Sequence, residues 1–258
     1  MLPFERLRAL ARYAGDDDAG LVAEAADCLA DFGGDPQLLT VCRRLLAHHP
    51  ACGPLWWLCA RIVSAPDPTT AARESLRRLE ADRTSARLAS VLPFPHDEPI
   101  AVLGWDDAIG AAVAERPDLD VVAVRPRVGD HGLRGRLARR DRPVRTVDET
   151  EIMALSPSHL LVGVRALSRR DAFVTPGCSD LRWSIPEAAV WLVAGVGRLL
   201  PDRLLDVARR EIERDLDPVV EVIEVAGAAR VAGPAGLDPP ERVASRLDCP
   251  DAPELHRL

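Results

Sequence analysis

Apolar residues recur at helical spacing through the first third of the chain and as short continuous runs after it. Leu38, Leu39, Cys42, Leu45 and Leu46 stand three and four positions apart, the spacing of one helix face. The same texture predicts an amphipathic helix over Leu2–Tyr13. A second runs from caps at Asp16–Asp18 through Phe32, where Gly33-Gly34 stop it. Asp35-Pro36 is a cap followed by a first-turn proline, whose missing N–H costs nothing there, and it opens a helix to His49. Gly53-Pro54 opens another through Val63. Asp67, Pro68 and Thr69 precede a charged helix containing Arg77, Arg78 and Glu80. Trp56-Trp57 is expected to wedge into helix packing, with ligand stacking as the alternative.

Leu92–Pro99 holds three prolines, a histidine and two acids, and the texture changes there. Apolar runs of strand length follow: Ile100–Leu103, Val121–Val124, Val144–Thr146, His159–Val164 and the strongly apolar Ala189–Val196. Val219–Val225 alternates around Glu221 and Glu224, as a half-exposed edge strand does. Between them, helices are predicted over Trp105–Glu115, Leu133–Arg140 (basic) and Leu204–Asp215, with a short one near Glu241–Arg246. Strands alternating with helices mean a parallel sheet. The expectation is an α/β protein: a helical domain over residues 1–93, then a Rossmann-like, mainly parallel domain over 94–258.

Composition narrows the function. The 258 residues are 47% hydrophobic and 28% charged, ordinary for a globular protein. A net charge of -7 argues against bulk nucleic-acid binding, which needs a basic footprint. No apolar run reaches membrane-spanning length. Met1–Tyr13 carries Glu5 and three arginines without an apolar core, so no signal peptide is expected there and the expected location is cytoplasmic. All 33 basic residues are arginine; lacking lysine, the chain can run neither Schiff-base chemistry nor a P-loop. Arginine's planar fork suits phosphate and carboxylate. The six irregularly spaced cysteines read as reduced, mostly buried thiols. His48, His49, Cys52 and Cys59 lack metal-ligand spacing, so no metal is expected.

In open parallel sheets ligands bind beyond the carboxyl ends of the strands. Gly104, Trp105, Asp106 and Asp107 follow the first run, and Arg125-Pro126 with the loop Gly129–Arg136 follows the second. Asp148 follows the third and Arg165 the fourth; Thr175, Gly177 and Cys178, then Gly195, Gly197 and Arg198, lie beyond. Glycines and arginines beside a helix start can hold an anion. Gly129, Gly132 and Gly135 lack the spacing of a dinucleotide fingerprint, so no cofactor is expected. Asp106-Asp107 stand where a helix cap is needed. Arg165, at the end of a buried strand, must be paired or meet an anionic ligand. Cys178 could be a nucleophile, but no base partner is readable beside it.

The order of these motifs resembles the alpha/beta/delta-subunit family of eukaryotic initiation factor 2B, whose relatives include methylthioribose-1-phosphate and ribose-1,5-bisphosphate isomerases. The resemblance rests on Ala123-Val124-Arg125-Pro126, Gly135-Arg136-Leu137-Ala138, Val147-Asp148, Leu161-Val162-Gly163-Val164-Arg165 and Thr175-Pro176-Gly177-Cys178. It covers residues 40 to 205 and implies a helical domain, a Rossmann-like domain and a homodimer. The family's isomerases move protons with a cysteine after the first strand and the aspartate of Val-Gly-Ala-Asp. Here the first position falls near Asp106 and the second is Arg165, and Thr175-Pro176 replaces Asn-Lys. Arginine is no general base at neutral pH. By this resemblance Arg125, Arg136 and Gly177 remain where the family holds phosphate or shapes its pocket.

Three readings stand. In the first, a diverged, non-catalytic member binds a sugar phosphate or nucleotide through Arg125, Arg136 and Arg165, with Gly177 and Trp105 shaping the pocket. In the second, an isomerase-like enzyme has relocated its chemistry to Asp106, Asp148 or Cys178. In the third, a dimeric interaction module has no ligand.

Overall fold

The computed structural model describes residues 3–13, 18–92, 99–126, 144–214 and 220–258. The expected basic helix over Leu133–Arg140 and the glycine-rich loop before it lie outside the described residues.

Five helices come first: α1 (Pro3–Ala11), α2 (Asp18–Ala30), α3 (Leu38–His48), α4 (Gly53–Val63) and α5 (Pro68–Glu80). Their centre is α4, buried around nearly its whole circumference because its sequence carries almost no polar side chain. Trp56 and Trp57 are packing residues, both fully buried. The Trp56 indole donates to the Pro50 carbonyl at 3.0 Å and the Trp57 indole to Asp248 at 3.1 Å. The guanidinium groups of Arg61 and Arg78 lie 4.9 and 5.5 Å from the Trp57 ring centre. Asp67 caps α5 by accepting the Thr70 N–H at 3.1 Å. Asp35 acts a turn ahead of α3: its carboxylate accepts the Gln37 N–H at 2.7 Å, and the helix begins at Leu38. A sixth helix, α6 (Thr84–Val91), which the apolar spacing does not separate, packs on the sheet.

The remaining elements are β1 (Ile100–Leu103), α7 (Asp107–Ala114), β2 (Val121–Val124), β3 (Arg145–Val147), α8 (Glu149–Leu155), β4 (His159–Leu167), β5 (Asp171–Val174), α9 (Cys178–Ser184), β6 (Ala189–Val193), α10 (Asp202–Ile212), β7 (Glu221–Glu224), β8 (Arg230–Gly233) and β9 (Gly236–Asp238). The main sheet runs β3-β2-β1-β4-β6-β8-β9, parallel except for the β8–β9 hairpin. Taken in chain order, its six parallel strands lie 3-2-1-4-5-6, the doubly wound order that reverses between β1 and β4. Four-residue strands such as β1 and β2 are buried on every residue, which is why they read as unbroken apolar runs.

The sequence pattern ends β4 at Val164, but the strand continues to Leu167. Its first half pairs in parallel with β1 and β6, up to Gly163 opposite Val193. Its second half pairs antiparallel with β5, which in turn pairs with β7. Val164 faces Val174 and Ala166 faces Phe173, so Arg165 is the extra residue of a bulge where β4 leaves one sheet for the other.

Three cores follow. One joins α1–α5 to α10, Phe173 and the C-terminal Leu255. The other two lie on opposite faces of the main sheet, one under α8 and α9 and one under α6 and α7.

Candidate functional site

A cavity of about 550 Å³ opens where the strand order reverses. That is the position at which doubly wound sheets place ligands, because the crossovers on either side diverge and leave a crevice. Its floor is the carboxyl ends of β1, β4 and β6; its roof is α2, the end of α5 and the turn after it. The floor is packed backbone to backbone. A Cβ on Gly163 would stand 2.0 Å from the Gly104 carbonyl oxygen. Gly104 takes φ +69°, a left-handed conformation that turns the chain from β1 toward α7, and a Cβ there would meet Thr175 Oγ1 at 2.4 Å.

Two arginines reach this cavity. Arg165 leaves β4 at the bulge, which re-aims its side chain, and its Nη2 pairs with Asp18 Oδ1 at 3.1 Å. Its Nε is buried without a hydrogen-bond partner among the described residues. Arg198 follows β6 and is held by backbone: its Nη1 donates to the Val164 carbonyl at 2.7 Å and reaches the Arg165 carbonyl at 3.4 Å. The same Nη1 lies 3.8 Å from the second oxygen of Asp18. One carboxylate at the start of α2 therefore bridges both arginines.

The rest of the charged lining is acidic: Glu80, Asp82, Asp106 and Asp107. Asp82 is tied down, accepting the Thr84 N–H at 2.8 Å, the Thr84 hydroxyl at 2.6 Å and the Val196 N–H at 2.8 Å. Asp106 caps α7, its Oδ1 accepting the Ile109 N–H at 2.8 Å. Two aspartates at the start of α7 would repel the pyrophosphate that a dinucleotide fold seats there. The opposite wall, from Ala19, Val22, Ala23, Leu76 and Leu79, is apolar.

Of the strand-end residues singled out in the sequence, Gly104, Asp106, Asp107, Arg165, Thr175, Gly195 and Arg198 come together at this cavity. Among the described residues, the remaining candidates for catalysis or ligand binding do not line it. Trp105 turns into the core beneath α6 and α7 and is 1% exposed. Arg125 follows β2 with an exposed side chain and does not line the cavity. Asp148 is exposed at the start of α8, in a reciprocal capping box: it accepts the Glu151 N–H at 2.9 Å, and Glu151 accepts the Asp148 N–H at 2.9 Å. Arg136 lies outside the described residues.

Gly177 and Cys178 open α9, but their amides are already engaged. Glu221 of β7 accepts the N–H groups of Gly177, Cys178 and Ser179 at 2.7, 2.8 and 3.0 Å. Gly177 adopts φ +104° to present its amide. The Cys178 thiol is buried, and burial, with the Glu221 charge beside it, pushes its pKa up to about 12. It is a protonated thiol in the core, the opposite of an activated nucleophile.

Pattern reading missed Asp18 as a site residue, because it stands where a cap is expected, and missed Asp82 altogether. Arg198 carried a signal: it follows glycines at the end of the most apolar run. The six cysteines are buried and unbridged. Among the described residues no cluster of His, Cys, Asp and Glu could hold a metal ion, and no helix is long and apolar enough to cross a membrane.

A doubly wound, mainly parallel sheet roofed by a helical layer, with a charged cavity at its switch point, defines a Rossmann-like α/β protein. Solved structures share this fold. The Pyrococcus horikoshii OT3 translation initiation factor eIF-2B is similar over 93% of this chain and 98% of its own, with a TM-score of 0.71 at 16% identity. The eIF2B beta subunit from Chaetomium thermophilum matches over 94% of this chain and 89% of its own, with a TM-score of 0.65 at 14% identity. The delta subunit of eIF-2B from A. fulgidus matches over 93% and 88%, with a TM-score of 0.59 at 12% identity. No family model matches the chain, and no curated protein matches it in sequence. The chain has the fold of the initiation factor 2B subunits, corroborating the likeness read from its motifs.

Proposed function

We propose that this protein is a diverged, non-catalytic member of the initiation factor 2B-like family, a regulatory protein that binds a sugar phosphate or nucleotide in the switch-point cavity. The carrying observation is Arg165. A bulge in a central strand places a guanidinium at the cavity floor, with one donor lacking a partner among the described residues. Arg198, pre-set by two carbonyls, stands beside it. Two arginines suit a phosphate, carboxylates suit sugar hydroxyls, and the apolar α2–α5 wall suits the rest of such a molecule. The absence of isomerase chemistry is supported by the placement of the candidate groups. Arg165 replaces the family's acid, Cys178 is a buried protonated thiol and Asp148 is exposed in a capping box.

The test is a thermal-shift screen with sugar phosphates and nucleoside monophosphates. Stabilisation by at least one ligand that vanishes in Arg165→Ala is expected; no shift with any of them overturns the reading.

We further take the protein to be a cytoplasmic homodimer. A solved Chaetomium thermophilum structure is of a tetrameric eIF2B-beta2-delta2 complex, so subunits of this fold do assemble. In this chain Trp183 on α9 is 87% exposed, an aromatic of the kind interfaces bury. Light scattering should give a dimer mass that Trp183→Ser weakens.

A further inference from the structure

The cavity's electrostatics contain a contradiction if it takes an anion. Five carboxylate residues line it against two arginines, and Asp18 pairs with both arginines at once. A phosphate approaching the cavity as it stands meets an acidic wall and no uncommitted cation among the described residues.

The partners of Asp18 are matched unequally. Arg198 is fixed independently, by the carbonyls of Val164 and Arg165, and would hold its place without Asp18. Arg165 is not: its guanidinium makes one hydrogen bond to Asp18, through Nη2, while its Nε makes none among the described residues. An arginine–oxyanion pair is strongest when two parallel N–H groups engage two oxygens. Asp18 satisfies half of that geometry. It is also the first residue of α2, so its carboxylate moves with the first turn of that helix, where helices fray most easily.

We infer that Asp18 is an internal occupant of the arginine site. Its carboxylate fills the position between Arg165 and Arg198 that a ligand's anionic group would take, and the ligand binds by displacing it. Three consequences follow. The site selects against weak anions, which must outcompete a tethered carboxylate. A ligand that can engage both Nε and Nη2 of Arg165 gains over Asp18, which engages Nη2 alone. Occupancy is coupled to the first turn of α2, because displacing Asp18 releases the only ion pairs, among the described residues, that tie that turn to the sheet. This inference rests on the anion-binding reading above and adds the residue that sets its threshold.

The test uses ribose 5-phosphate, adenosine monophosphate and inorganic phosphate as probes on the full chain, with affinity from calorimetric titration. Four proteins are compared: wild type, Asp18→Asn, Arg165→Ala and the double variant. If Asp18 holds the site for most of the time, its neutralisation should tighten the best probe about tenfold, the factor expected when an occupied fraction near nine-tenths is released. Arg165→Ala should abolish binding in both backgrounds. Equal or weaker binding by Asp18→Asn, with Arg165→Ala still inactive, overturns the occupant role and leaves the anion site standing. No binding by any protein overturns both. Hydrogen exchange on the wild type supplies a readout independent of any variant's folding. A saturating probe should raise deuterium uptake in residues 18–24 at least threefold; unchanged or slower exchange there overturns the displacement.

Discussion

The carboxylate of Asp82, in the turn after α5, accepts the backbone N–H of Val196 just past β6, at 2.8 Å. The same carboxylate accepts the N–H and the hydroxyl of Thr84, the first residue of α6. Gly195 makes room for it, since a Cβ there would stand 2.5 Å from Asp82 Oδ2. One side chain thus holds the roof of the cavity to its floor and to the first residue of the helix that packs on the sheet. Asp82→Ala leaves two N–H groups and a hydroxyl without their acceptor. It should lower unfolding free energy by about 2–3 kcal/mol in urea titrations. A change under about 0.5 kcal/mol would mean water replaces the carboxylate without loss.

The glycine pair at the cavity floor makes a sharper demand. Gly163→Ala puts a methyl group where the Gly104 carbonyl oxygen already stands. Backbone must shift on one of two central strands, so a loss of about 3 kcal/mol or more, or failure to accumulate as folded protein, is expected. Gly34→Ala is the control, because a Cβ there meets nothing within 4 Å. It should fall within about 0.5 kcal/mol of wild type.

Much of this frame is legible from pattern. Short, fully buried strands such as β1 and β2 read as unbroken apolar runs because a parallel sheet covers both faces. What pattern could not supply was pairing at a distance. Asp18 looked like a cap because acids before apolar periodicity usually are; its pairing with Arg165, 147 positions away, has no local signature. β5 (Asp171–Val174) escaped because four residues after a basic pair offer too little periodicity, and it exists only because β4 bulges and bends to meet it. The alternation at Glu221–Glu224 did announce an edge strand. It could not announce that Glu221 would turn inward to hold three amides of α9, which is what removed Gly177 and Cys178 from the candidate site.

Buried thiols make stability fall in alkali. Burial pushes both Cys178 and Cys52 up to about 12 from an ordinary value of 9.0. In the unfolded chain these thiols ionise near their ordinary value, whereas in the folded chain they hold their protons to higher pH. Between the two values the folded state binds more protons, so raising pH favours unfolding. Stability should be fully present below about pH 9 and decline from there toward pH 12. Cys178→Ala should flatten part of that decline in urea titrations across pH 8 to about 11. In native protein Cys178 should resist alkylation at neutral pH, because its thiolate is scarce and its sulfur enclosed.

The C-terminal segment is fastened to the helical layer through Asp248, which accepts from the Trp57 indole and pairs with Arg78. Trp57→Phe keeps most of the buried ring and removes the indole donor. It should cost about 1–2 kcal/mol and leave Asp248 held by Arg78 alone. Asp248→Ala orphans a buried indole N–H as well, and limited proteolysis should then cut the segment after residue 246 faster than in wild type. An unchanged cleavage rate would place the fastening elsewhere, at Cys249, Ala252 and Leu255 in the helical core.

Asp106 separates a structural role from a chemical one, because it is the one candidate proton carrier from the sequence that reaches the cavity. Its Oδ1 caps α7. An asparagine caps a helix about as well as an aspartate, so Asp106→Asn should unfold within about 0.5 kcal/mol of wild type, whereas Asp106→Ala should lose about 1 kcal/mol. Removing one negative charge from an acidic wall should also tighten a phosphate-bearing ligand in the Asn variant, with a larger gain at low salt than at high salt. If the wild type instead interconverts ribose or methylthioribose phosphates, and Asp106→Asn abolishes the turnover while still binding the ligand, the carboxylate is carrying a proton and the protein is an enzyme. Retained turnover in Asp106→Asn would take Asp106 out of that chemistry and leave it as a cap and a wall.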